Sequence, residues 1–214
     1  MIKRSLALTL VTVACALHTG GHALAAETQR LPGQGVDAIT KRAPPLGRAA
    51  KNSPQNAQRH ATALGLGPEY GLRIKDYSED QIGSYYRYIQ LYRGIPIHGQ
   101  QAVVSEDKEG RIRSTFGRVT KNVHRDVPNI QPRLSGSQAE YFATQHWARS
   151  VPGSGKPIMT TSELSIAVDQ ASKSRLVYVV SFGTEGGKVG PQSPEVVVDA
   201  NSGEVVSSAD RNRH

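Results

Sequence analysis

The residue types that carry acid-base, nucleophilic or metal chemistry are present in this chain, but not at the spacings such chemistry needs. Two zinc ligands and a base on one helical face require an H-E-x-x-H run, and none occurs. His60, His98, His124 and His146 stand singly, without a second His or a carboxylate at ligand spacing, and read as core or surface histidines. Val151 to Pro157 looks like a phosphate loop through Gly153, Gly155 and Lys156. Ser150, however, stands where the leading Gly belongs, and Pro157 where a hydroxyl must hold the metal. No G-x-S-x-G elbow is present, and the lone thiol, Cys15, lies in an apolar leader. The expectation is a protein with no catalytic residue, no metal and no cofactor, whose work is contact.

The start of the chain reads as an address and not as fold. Met1 to Arg4 is basic, Ser5 to Leu17 is apolar but shorter than the roughly 20 residues that span a bilayer, and Ala23-Leu24-Ala25 has the small-x-small pattern of a leader cleavage site. Cleavage between Ala25 and Ala26 and a secreted or periplasmic location are expected; an N-terminal membrane anchor and lipid attachment at Cys15 are the alternatives. The formal charge is +8, and removing Lys3 and Arg4 leaves 24 basic against 18 acidic residues, or +6. An acidic partner follows more readily than nucleic acid, because no Lys/Arg block is interleaved with aromatic residues.

The elements that would position a contact surface are legible in part. Residues 26–52 are rich in Pro, Gly, Gln, Arg and Ala without apolar periodicity, an extended or disordered arm. Ser53-Pro54 opens a helix with Ala57, His60, Ala61 and Leu64 on one face and Gly65 at its end. From Tyr85 the period changes to two, with Tyr86, Tyr88, Gln90 and Tyr92 alternating against Arg87, Ile89 and Leu91, until Arg93-Gly94 breaks the strand. A strand over about 100–105 turns through Asp107 to Gly110 into a third over 111–118. After a connector at 126–134, Ser135 or Ser137 begins a second helix with Ala139, Phe142, Ala143, His146 and Trp147 on one face. Strands at about 163–169, 175–182 and 195–208 follow, with a loop at 183–194. The expected fold is α+β in two small lobes of similar plan, 53–125 and 135–208, each a helix packed on an antiparallel β-meander, with a tail at 209–214.

The run from Tyr86 to Gly99, with Ala102-Val103-Val104 and Asp107 to Gly110 behind it, resembles the fungalysin/thermolysin propeptide motif, R-x-x-Q-x-Y-x-G-x-P-x-x-G and then a hydrophobic strand and an acidic turn. Arg87, Gln90, Tyr92, Gly94, Pro96 and Gly99 fill its fixed positions. Leu176 to Val180 and Pro194 to Val205 resemble a PepSY domain. The resemblance implies cystatin-like lobes in the 1–25 leader, arm, propeptide-motif lobe, PepSY-like lobe order of thermolysin-like precursors. It also implies a role as folding assistant and inhibitor of a thermolysin-like zinc metallopeptidase, as a zymogen segment or in trans. Arg87, Gln90, Tyr92, Gly94, Ile95, Pro96 and Gly99 would then serve the partner contact. Arg211, Asn212, Arg213 and His214 would run as a product-like tail into the protease cleft. Arg113 and Arg118, with Arg111, are a further candidate for an acidic protease surface. A cell-envelope module with a target other than a peptidase is the alternative reading.

Overall fold

The computed structural model describes residues 26–31 and 53–212. Strand accounts for most of the regular structure: β1 (Glu27–Arg30), β2 (Tyr70–Glu79), β3 (Gly83–Tyr92), β4 (Ile95–Asp107), β5 (Ile112–Lys121), β6 (Lys156–Val168), β7 (Ser174–Glu185), β8 (Pro194–Asp199) and β9 (Val205–Asp210). Helices α1 (Pro54–Ala63) and α2 (Gly136–Ser150) and a 3-10 turn (Val123–Arg125) complete it. Both helices begin as the sequence dictates. Ser53 Oγ accepts the N–H of Asn56 at 3.2 Å, and Ser135 forms a capping box with Gln138. Ala57, His60, Ala61 and Leu64 are buried, as are Ala139, Ala143 and Trp147. Phe142 lies instead across the β8–β9 turn, where a Cβ on Gly203 would come within 2.8 Å of its ring.

The expectation of two separate lobes, each a helix on its own meander, is overturned. The strands form one nine-stranded sheet in the order β1-β5-β4-β6-β7-β8-β9, with β3 also along β4 and β2 beyond it. The hinge of this arrangement is β4, which is 13 residues long because Ile95 to Gly99 are strand as well. Along one edge its first half meets β6 in parallel at Ile97↔Ile166, and its second half meets β5 antiparallel at 102–106. Gly99 sits at the change of partner with φ +72, a conformation a side chain resists. Ile97 and Ile166 are 1% and 0% exposed. One hydrophobic core therefore runs continuously from Ala57 and Tyr86 to Val180 and Val198. Separate lobes would leave this isoleucine pair in water, at a cost of about 2 kcal/mol per side chain.

Residues 27–30, placed by composition in the arm, form β1 on β5, in register from Glu27↔Lys121 to Arg30↔Arg118. β2 carries a bulge between Ile74 and Asp76, and the segment read as one interrupted strand at 195–208 is the β8–β9 hairpin.

Candidate protein-binding face

The motif strand β3 divides its residues by parity. Tyr86, Tyr88, Gln90 and Tyr92 point inward and are each 0% exposed, whereas Arg87 is exposed and Ile89 and Leu91 half-buried on the other side. The chain reverses through Arg93-Gly94 at φ 47 and 84, between the paired residues Tyr92 and Ile95. This is the two-residue loop with both central residues left-handed, whose twist matches that of the flanking strands. Arg93 is held there by Glu69, at 3.0 Å from Nε, and lies over the Tyr92 ring.

Gln90 acts as a substitute strand neighbour. Its Nε2 donates to the carbonyl of Thr120 at 2.6 Å, and its Oε1 accepts the N–H of Thr120 at 2.7 Å. Both backbone groups of a wholly buried residue are thereby satisfied where the β4–β5 pairing has already ended. Beneath Tyr86 and Tyr88 lies a buried polar network. His60 Nε2 donates to Glu106 Oε1 at 2.9 Å, Arg59 pairs with the same carboxylate oxygen, and His60 Nδ1 accepts from the Tyr88 hydroxyl at 2.7 Å. Burial, reinforced by the Arg59 charge, lowers the His60 pKa to about 3, which keeps the imidazole neutral in the tautomer this network requires. His60, which stands singly in the sequence, is thus a core strut, joined to partners 28 and 46 residues away.

The outward side presents a different chemistry. Arg87 faces Asp76 on β2 and Val103 on β4, and Val103 faces Phe116 on β5, whose ring is 49% exposed. Beside this row Arg118 stands directly opposite Arg30. Among the described residues neither arginine has an ion pair, so the face is basic around an exposed aromatic ring. Arg111 is spent locally on Asp107, at 2.7 Å from Nε; Arg113 and Arg118 are exposed.

Pro96 is buried, Gly94 and Gly99 are exposed and Ile95 is half-buried. Pro96, His98 and Gly99 line a cleft of about 110 Å³ with Arg73, Ile89 and Glu163. His98 turns from there toward β8, with Nε2 at 3.6 Å from Glu195 Oε1, and Arg211 pairs with the other oxygen of the same carboxylate. Burial and the Arg211 charge depress the His98 pKa. Arg211 also donates its N–H to the Ser193 carbonyl at 3.0 Å, and the Asn212 N–H donates to Asp210 Oδ1 at 3.1 Å. The motif and the outgoing chain therefore meet at Glu195. Ala25, Arg213 and His214 lie outside the described residues. Phe116, Glu195 and Glu106 are not legible in the sequence, because each acts through a pairing of elements distant in sequence, for which no local pattern exists. Among the described residues no three His, Cys, Asp or Glu side chains converge in a group able to hold a metal ion, and no helix is long and apolar enough to cross a membrane.

Residues 70–119, the span of β2 to β5, match the Fungalysin/Thermolysin Propeptide Motif. The chain is 29% identical over 129 residues to the Hemagglutinin/proteinase of Vibrio cholerae, covering 60% of this chain and 21% of that protein. It is 26% identical over 126 residues to the Virulence metalloprotease of Vibrio anguillarum, covering 57% and 20%. With the Bacillolysin of Bacillus amyloliquefaciens it shares 25% over 151 residues, covering 69% and 28%. The chain carries the fungalysin/thermolysin propeptide motif and is related to the non-catalytic pro-region of thermolysin-like metalloprotease precursors. It spans between a fifth and a little over a quarter of the length of these relatives. The Bacillus megaterium YpeB C-terminal domain is a further likeness, at a TM-score of 0.37 and 11% identity over 79% of this chain and 68% of that one, too slight to carry an argument.

Proposed function

We propose that this chain is an exported pro-region that assists the folding of a thermolysin-like zinc metallopeptidase and then inhibits it, as a zymogen segment or in trans. The observation that carries the reading is the match of β2 to β5 to the propeptide motif. Arg87, Gly94 and Gly99, the exposed members of that motif, serve the contact. Gln90, Tyr92 and Pro96 serve it indirectly, by fixing the backbone on which the others stand. The half from α2 to β9 is the PepSY-like part, and the stretch from Arg211 to His214 leads into the protease cleft. A partner that binds the folded or nearly folded protease in preference to its unfolded chain stabilises it by mass action.

The test is refolding. A denatured thermolysin-like peptidase is diluted into buffer with and without the purified protein, which is afterwards removed before activity is measured. A several-fold higher yield is expected with the protein present; an unchanged yield at saturating concentration removes the folding role.

A further inference from the structure

β1 is fixed at both ends. Leu31, 6% exposed, donates its N–H to the Gly117 carbonyl at 2.9 Å. At the other end Ala26 is 1% exposed, and its nitrogen lies 3.4 Å from Asp126 Oδ2. For a peptide N–H that is long, since such bonds cluster near 2.9–3.0 Å. For an ammonium and a carboxylate it is ion-pair distance.

Asp126 is built to receive a charge at that point. The same Oδ2 accepts the Ser174 N–H at 2.8 Å, and the Asp126 N–H is tied to the Val123 carbonyl at 3.1 Å. The carboxylate is therefore positioned by both the 3-10 turn and the start of β7. Ser174 is 2% exposed, yet its Oγ has no hydrogen-bond partner. A peptide nitrogen brings one N–H to this carboxylate, whereas an α-ammonium brings three and a full positive charge. Lys121, His124, Arg125, Lys173 and Arg175 carry the basic charges on the elements around it and Glu27 an acidic one; Arg175 is engaged by Asp169 at 3.9 Å, and His124 is near Glu69 at 4.0 Å.

We propose that Asp126 is the acceptor for a new α-ammonium at Ala26, formed when a leader peptidase hydrolyses the Ala25–Ala26 bond, and that this ion pair locks β1 across the junction between β5 and β7. Water supplies the oxygen added to the Ala25 carboxylate and both protons gained by the Ala26 nitrogen. The proposal rests on the export reading, and processing thereby completes the fold of the pro-region. A raised α-amino pKa contributes stability that is fully present below the unfolded value of about 7.7–8.0 and is lost as pH rises through the folded value.

The experiment compares two proteins released from a cleavable fusion, one beginning at Ala26 and one retaining Ala25, with a second pair of the same lengths carrying Asp126→Asn. At pH 7 the chain beginning at Ala26 is expected to melt about 3 °C higher than the longer one. That gap should close near pH 10 and be absent in the Asp126→Asn pair. Equal melting temperatures at pH 7, or a gap that survives Asp126→Asn, overturns the ion pair. A protein recovered from the exporting cell whose first residue is not Ala26 overturns the processing step. Neither arm involves a thermolysin-like peptidase, so failure of the ion pair and failure of the folding and inhibitory role are separate results.

Discussion

Replacing Gln90 by Leu leaves an apolar side chain one bond shorter and removes both hydrogen bonds to Thr120, made at 2.6 and 2.7 Å. Thr120 is 0% exposed, so its N–H and carbonyl would be stranded away from water. Each buried group left unpaired costs about 1–3 kcal/mol, which sums to roughly 2–6 kcal/mol for the pair. Against a typical domain stability of about 5–15 kcal/mol that is a large fraction, but short of certain unfolding. In urea, with a slope of about 1–3 kcal/mol per M, the midpoint should fall by at least about 0.7 M while the slope stays constant. The assay is equilibrium urea denaturation followed by fluorescence of Trp147. A second measurement separates strut from contact: per mole of folded protein, Gln90→Leu should still inhibit a thermolysin-like peptidase as the parent does. A midpoint within a few tenths of a molar of the parent would refute the strut. Loss of inhibition with stability unchanged would place Gln90 in the contact.

Two other outcomes follow from the same geometry. His60 binds its proton only near pH 3 when folded and near 6.5 when unfolded, so between those values the unfolded chain holds more protons and stability falls as pH falls, by about 1.4 kcal/mol per pH unit from this group. Urea midpoints of the parent and His60→Asn between pH 6.5 and 4 should show the mutant with the shallower dependence; equal slopes would mean that His60 is protonated within the fold. Removing Arg211 to His214 should weaken inhibition several-fold with little change in melting temperature, since the Arg211 pair with Glu195 is at the surface; unaltered inhibition would remove the tail from the contact.

What the sequence disclosed was local physics. Ser53 and Ser135 announced their helices because a hydroxyl one residue ahead of an amphipathic run has orphan N–H groups to accept. The alternation of Tyr86, Tyr88, Gln90 and Tyr92 with Arg87, Ile89 and Leu91 separated the two sides of β3, and Asp107 to Gly110 gave a turn, closed by the Gly110 N–H on the Asp107 carbonyl at 3.0 Å. The joining of the halves was not legible. Ile97 and Ile166 are 69 positions apart and meet as one parallel bridge, a contact that burial rewards but no periodicity encodes. Starting the second strand at about residue 100 hid it, because Pro96 and Gly99 look like breakers when a proline at a register shift and a glycine at a change of strand partner are both tolerated. β2 was missed because its bulge breaks the alternation and most of its length is open to solvent. The candidate face divided similarly: the motif named Arg87 and Gly99, while Phe116 and Glu195 came into view only with the sheet order.

Binding of a thermolysin-like peptidase through the folded surface is the central expectation for this protein. A titration of the active enzyme with the purified, folded protein, following hydrolysis of a peptide substrate, should show activity falling to a plateau with saturation near one equivalent. Full activity at concentrations far above micromolar would contradict it.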